Sequence, residues 1–349
     1  MRSSTPKPLH RLLGRPMVLH VLDALAELPI DRVVVVVGYR SADVTKALEN
    51  EAPPELRLEF VEQTRPLGTG DAAAVALTGF AEGADLEDGD LVVLPGDAPL
   101  LRPATLAALV RTHRANDATA TLLTAKLADP SGYGRILRHK DGHVARIVDD
   151  ADANEEERAI DEVATSIYCF RHAVLAPTLR RLSPANAQGE YYLTDTIAVL
   201  DQAGYPVVSL IAPDPMEAAG VNDRAQLAAA EAVLRERVNE RWMRRGVTMV
   251  DTEQTYIDAS VQLCEDVTLL PGVILEGSTS IGQGSVIGPS CRLVDTQVGP
   301  SVCMEYSVAY QAFISEGARV GPYSVLAPGA RLEPHFGTGP YFHAPTNDD

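Results

Sequence analysis

Three short segments carry residue types and spacings that could do chemistry. The first is Ser3-Ser4-Thr5-Pro6-Lys7-Pro8-Leu9, where two prolines hold Lys7 in an extended loop. A loop lysine is more often only a solvated cation than a functional one. The second is Gln63-Thr64-Arg65-Pro66-Leu67-Gly68-Thr69-Gly70-Asp71-Ala72-Ala73. Gly68 and Gly70 let backbone approach a flat ligand, Gln63 and Thr69 offer hydrogen bonds, and the start of the following helix adds positive potential. A tight strand-to-helix turn explains the same letters equally well. The third is Leu91-Val92-Val93-Leu94-Pro95-Gly96-Asp97-Ala98-Pro99-Leu100. It puts Asp97 at the carboxyl end of an apolar strand, where open α/β sheets bind ligands. A hard cation such as Mg²⁺ takes one or two carboxylates plus substrate phosphates. The alternative is an Asp97 that only caps the helix beginning near Pro103.

The elements around these segments alternate. Met17 to Leu28 reads as a helix with Val18, Leu22, Leu25 and Ala26 on one face. Val33 to Val37 reads as a buried strand, Ser41 to Leu48 as a helix, and Leu58 to Val61 as a strand. Gly70 to Phe80 is helical, Asp90 to Leu94 a strand, Pro103 to Arg114 a helix, and Ala118 to Ala125 a strand. Such alternation predicts a βαβ-type, mostly parallel sheet with helices on both faces. Asn222 or Asp223 then caps a long helix with Leu227, Ala230, Leu234, Val238 and Trp242 in its apolar stripe, ending near Arg245 and Gly246.

Beyond that helix the texture changes. Ile257, Leu263, Leu269, Leu275, Ile281, Ile287 and Leu293 recur every six residues, and Val302, Val308, Ile314, Val320, Leu326 and Leu332 resume the period after a phase shift. Val261, Val267, Val273, Thr279, Ser285 and Cys291 follow at a fixed offset. A period of six fits neither helix nor ordinary strand; it predicts a triangular parallel β-helix of hexapeptide repeats. The expected organisation is therefore a sheet domain over 1–223, a linker helix over 224–246 and a β-helix over 247–349. His335 and His343 fall in a tail after the repeats.

Charge narrows the partners. The chain of 349 residues has 48 acidic against 30 basic residues, a formal net charge of −18. That balance is poorly suited to gripping nucleic-acid backbone and is repelled by anionic membranes. No run approaches the ~20 apolar residues of a membrane span. No apolar stretch follows the early basic residues Arg2, Lys7, Arg11 and Arg15, so no export signal is expected. Four cysteines without paired spacing suit a reducing compartment, and the expected location is the cytoplasm.

Taken in order, P-K-P-L at 6–9, L-G-T-G at 67–70, P-G-D-A-P-L at 95–100, G-Y-G-R at 132–135, N-A-Q-G-E-Y-Y-L-T-D at 186–195, G-V-N-D-R at 220–224 and the hexapeptides resemble the sugar-1-phosphate nucleotidyltransferase family. Within it they resemble the bacterial bifunctional N-acetylglucosamine-1-phosphate uridylyltransferase/glucosamine-1-phosphate acetyltransferase family. The resemblance implies a Rossmann-like nucleotidyltransferase sheet domain followed by a short left-handed parallel β-helix. It implies uridylyl transfer from UTP to N-acetylglucosamine 1-phosphate for cell-wall precursor synthesis, with Mg²⁺ as cofactor and a homotrimer formed through the β-helix. Gln63, Gly68 and Thr69 would hold the uracil, Lys7 would contact the nucleotide phosphates, and Asp97 and Asn222 would bind Mg²⁺. Gly96, Gly134 and Asp149 would contact substrate, Gly134 approaching the acetamido sugar by its backbone.

Five departures qualify this. Asp149 stands where the family usually has Glu, and Ala164 where it usually has Asn. Ser166 replaces a Gly, putting a side chain where the family leaves space. Met1-Arg2-Ser3 matches only the end of the family's opening strand and loop, L-A-A-G-x-G-T-R-M, so weakened turnover is expected. The family's acetyl-transfer base and coenzyme A contacts have no match among the repeats, so acetyltransferase activity is not expected. A non-catalytic trimeric scaffold or sugar-nucleotide-binding relative, and a nucleotidyltransferase for another sugar 1-phosphate, are the competing expectations.

Overall fold

The computed structural model describes residues 1–80 and 89–344. The chain forms two compact units, Met1–His10 with Pro16–Gln226, and Arg11–Arg15 with Leu227–Asp349.

The first unit opens with α1 (Met17–Ala26), which follows Pro16 and buries Val18, Leu19, Leu22 and Leu25. β1 (Val33–Val37) is five valines and pairs in parallel with β2 (Leu58–Glu62); α2 (Ser41–Glu51) connects them. β-Branched side chains suit the pleat, and the intervening helix supplies the crossover that parallel strands need. α3 (Thr69–Thr78), β3 (Asp90–Val93), α4 (Pro103–Ala115) and β4 (Ala120–Lys126) follow, each within a few residues of its expected bounds.

β5 (Arg135–Arg138) and β6 (Val144–Val148) form a hairpin, and α5 (Glu155–Arg158) begins with a capping box between Asn154 and Glu157. β7 (Glu162–Arg171), α6 (His172–Leu179), α7 (Asp195–Gln202) and β8 (Val207–Ile211) complete the unit. The main sheet runs β8-β4-β7-β5-β6, with β3 also pairing β7. It is mixed rather than mostly parallel. β4 and β8 are parallel, while β7 lies antiparallel to β3, β4 and β5. The β5–β6 connection is too short to cross over, so those strands can only be antiparallel. Both faces of the sheet are covered. Leu123, Ile167 and Cys169 pack with α1, α2 and α4, while their strand neighbours Leu122, Tyr168 and Phe170 pack with α6 and α7.

The long helix α8 (Arg224–Met243) starts at Asp223, whose carboxylate accepts from Gln226 N at 2.8 Å. From Leu227 on it belongs to the second unit, a parallel β-solenoid of three sheets. This is the β-helix of hexapeptides expected from the sequence. Leu263, Leu269, Leu275, Ile281, Ile287 and Leu293 fill its interior. The phase shift has a structural cause. Leu293 stacks on Ala309, Val298 on Ile314 and Met304 on Val320. Each of these stacked pairs is 16 residues apart instead of 18, so two sides of each such coil are one residue short, and Met304 and Ala309 take inward strand positions where Val302 and Val308 were expected. Val302 is buried all the same, and Val308 is half-buried. Buried corner hydroxyls tie adjacent coils: Ser285 Oγ donates to Gly299 O at 2.9 Å and accepts from Val302 N at 3.0 Å. The expected tail is corrected as well. His343–Ala344 pairs with Val325–Leu326 as a further strand, and His335 N donates to Glu316 O at 2.8 Å. Residues 345–349 lie outside the described residues.

Within the second unit, Ala259 N donates to Leu13 O at 3.0 Å, and Leu12 and Leu13 are buried. Gly14 has φ +74° and leaves no room for a Cβ, which would sit 2.3 Å from Asp258 Oδ2.

Candidate functional site

Lys7 opens a single 3₁₀ turn, Lys7–Leu9, rather than an extended loop. Its ammonium pairs with the Asp97 carboxylate and donates to Asn222 Oδ1 at 2.7 Å. Asp97 follows β3 and Asn222 precedes α8, so three remote stretches converge on one cation. Val221 N, donating to Asp97 O at 2.9 Å, locks the two loops together. Gly220 lies beside the carboxylate, where a Cβ would make only ordinary contact, 3.8 Å from Asp97 Oδ1. Asp97 does not cap α4: the residue at that helix's N-cap is Arg102, and no side chain caps it. A carboxylate and an amide oxygen flanking a positive charge are hard donors, suited to a small divalent ion whose other positions go to water or phosphate.

The second group surrounds the start of α3. Gln63 leaves the carboxyl end of β2, and its Nε2 donates to Gly68 O at 3.2 Å and Asp71 Oδ2 at 2.7 Å. No described residue donates to its Oε1. Gly68 has φ +109°, and a Cβ there would lie 2.5 Å from Tyr191 O, so a side chain is excluded both by backbone and by contact. The 186–193 segment clamps this loop. Tyr191 N donates to Leu67 O at 2.8 Å, Gly70 N to Tyr191 O at 2.8 Å, and Leu193 N to Thr69 Oγ1 at 3.0 Å. Asn186 shapes the segment, its Nδ2 donating to Glu190 O at 2.6 Å.

The third group lies along β7. Ala164 N donates to Gly134 O at 2.8 Å, and a Cβ on Gly134 would meet Ile147 Cγ2 at 2.9 Å. Asp149 follows β6 and accepts from Ala151 N at 3.2 Å. Around it the sequence reading missed an acidic cluster. Asp195 is pushed above the ordinary carboxylate range, first by burial and then by Asp152 and Asp149. Tyr192 is buried and is pushed up to about 12 by burial and then by Asp149, Asp152 and Glu190. Both residues belong to N-A-Q-G-E-Y-Y-L-T-D, a run legible as a motif but not as a charge cluster. Gly96 is exposed on the turn before Asp97.

The structure thus joins Lys7, Asp97 and Asn222 in one cluster, and Gln63, Gly68 and Thr69 in a second. Gly134 sits beside Ala164, and residues 191–193 run from the Thr69 loop to the surroundings of Asp149. No described helix is long and apolar enough to cross a membrane.

The nucleotidyl transferase family pattern matches residues 2–242. The bifunctional protein GlmU of Heliobacterium modesticaldum is 41% identical over 332 residues, covering 95% of this chain and 70% of the relative. GlmU of Desulfitobacterium hafniense (strain DSM 10664 / DCB-2) is 42% identical over 333 residues, 95% of this chain and 71% of the relative. GlmU of Thermobifida fusca is 45% identical over 315 residues, 90% of this chain and 64% of the relative. With a family match over more than half its length and such relatives aligned across both units, this chain belongs to the nucleotidyl transferase family, as an enzyme of the GlmU kind.

Proposed function

We propose that the chain transfers uridylyl from UTP to N-acetylglucosamine 1-phosphate, releasing pyrophosphate, as a UDP-N-acetylglucosamine diphosphorylase-type enzyme with Mg²⁺. The observation that carries the reading is the convergence of Lys7, Asp97 and Asn222 beyond the carboxyl end of β3. In the reaction a sugar-phosphate oxygen attacks the α-phosphorus in line while the bond to the β-phosphate breaks, so no protein nucleophile is required. The residues position and neutralise. Gln63 Oε1 accepts from the uracil imide, and glycine at 68 lets the loop backbone reach the base. Lys7 offsets phosphate charge on a molecule of net charge −18. Asp97 and Asn222 would hold Mg²⁺, which supplies Lewis-acid stabilisation of the phosphates. Gly134 and Asp149 border the sugar. Cell-wall precursor supply, a cytoplasmic location and a homotrimer built through the solenoid belong to the same proposal; the four free cysteines suit that location. No acetyl transfer is assigned to the described coils.

The test is pyrophosphate release from UTP and N-acetylglucosamine 1-phosphate with added Mg²⁺. Asp97→Asn is expected to abolish metal-dependent turnover, and unchanged turnover removes Asp97 from the site. Ala164 favours a second reading, another sugar 1-phosphate, because a methyl there cannot hydrogen-bond an acetamido group. Preference for a different sugar phosphate in the same assay would establish it. Calorimetric UTP binding without turnover on any sugar phosphate would favour the scaffold reading.

A further inference from the structure

Ser166 combines three features. It has φ +61°, and among the described residues it is the only non-glycine in the left-handed region that lies inside a strand. It is exposed although Glu162 to Thr165 and Ile167 to Phe170 are all buried. Its hydroxyl makes no hydrogen bond to any described residue. The first feature costs stability, because an L-residue crowds its own carbonyl there. A serine strained at one point of an otherwise regular core strand serves something outside the fold.

The sheet shows where that something sits. On one side of β7 the pairing with β4 shifts between Leu122 and Thr124, a bulge that turns Ser166 outward. On the other side β7 changes partner. Val163 lies opposite Arg135 of β5, whereas Tyr168 lies opposite Val93 at the end of β3. Between these partners only Ala164 is tied across, to Gly134 O. Ser166 therefore borders a split in the sheet, with Gly134 on one flank and the chain leading to Pro95-Gly96-Asp97 on the other. Splits at the carboxyl ends of strands are where α/β sheets take ligands.

We propose that the Ser166 hydroxyl is a specificity-determining contact that hydrogen-bonds a ring hydroxyl of the sugar 1-phosphate. This rests on the nucleotidyl-transfer reading given above. The hydroxyl's freedom from internal partners leaves it both donor and acceptor capacity for a sugar.

The experiment compares the full chain with Ser166→Ala and Ser166→Gly, using calorimetry with UTP and then with N-acetylglucosamine 1-phosphate and glucose 1-phosphate. Both variants are expected to weaken the preferred sugar phosphate about 3–10-fold while leaving UTP affinity unchanged. Ser166→Gly, relieved of the left-handed strain, is expected to melt about 2–4 °C higher. Affinity and stability then move in opposite directions, which a purely structural role cannot produce. In a series of monodeoxy sugar 1-phosphates, one member should lose in the parent what both variants have already lost. Sugar affinity unchanged in both variants overturns the assignment and leaves the nucleotidyl-transfer reading standing. UTP binding by the parent with no sugar-phosphate binding also overturns it. A parent that binds neither UTP nor any sugar phosphate overturns the nucleotidyl-transfer reading itself.

Discussion

Lys7 illustrates how much one side chain can report. Its ammonium stands between the oxygens of Asp97 and Asn222, where a divalent ion would otherwise find two hard donors. Removing the ammonium has two opposed consequences. Lys7→Met is expected to slow nucleotidyl transfer by about 10²–10³, the usual cost of deleting one preorganised charge stabiliser. Binding of Mn²⁺ without nucleotide is expected to tighten, because the cation no longer competes for the same oxygens. Calorimetry checks the second point, and weaker Mn²⁺ binding would show that Lys7 assists the ion rather than excluding it. The residues of this cluster were legible because each lies in a short contiguous motif. Their meeting was not, since no local pattern links positions 7, 97 and 222. Tyr192 and Asp195 escaped for a related reason: their shifts come first from burial and then from Asp149 and Asp152, remote in sequence.

At the level of elements, legibility followed repetition. Five consecutive valines announced β1, and a six-residue beat announced the solenoid. The β5–β6 hairpin is made of short, arginine-interrupted runs, R-I-L-R and V-A-R-I-V, with no sustained alternation to read. The five-residue sides near Leu293–Val320 were invisible for the opposite reason, since a regular period was extended across them. The packing of α4 on β4 carries a pH dependence. His113 is buried, and its Nδ1 lies 2.9 Å from Thr121 Oγ1. Burial lowers its pKa, against a smaller upward pull from Asp90. As pH falls through about 6.5 the unfolded chain protonates first, so stability is lost from there down to the lowered folded value and no further. Melting temperature is expected to decline over that window, and His113→Gln should flatten the decline. An identical slope in the variant would assign the effect to another group.

Across the whole molecule, the two units differ in how they hold together. One is a sheet clad in helices; the other is a stack in which each coil rests on its neighbours. The Arg11–Arg15 turn belongs to the stack although its flanking sequence belongs to the sheet unit. Gly14 makes that placement possible. Gly14→Ala is expected to cost about 1–3 kcal/mol through its left-handed backbone and the collision with Asp258. Its signature should be a lowered thermal transition of the solenoid with UTP affinity intact, monitored by calorimetric melting with and without nucleotide. A melting curve indistinguishable from the parent would mean that the turn can re-seat elsewhere.

That turn also bears on engineering. Neither fold is encoded by one uninterrupted stretch of gene, so a chimera joined to a relative at a single codon inherits a mismatched patch at Leu13 and Ala259. Exchanging the solenoid cleanly requires grafting a second, five-residue cassette near the amino terminus along with it.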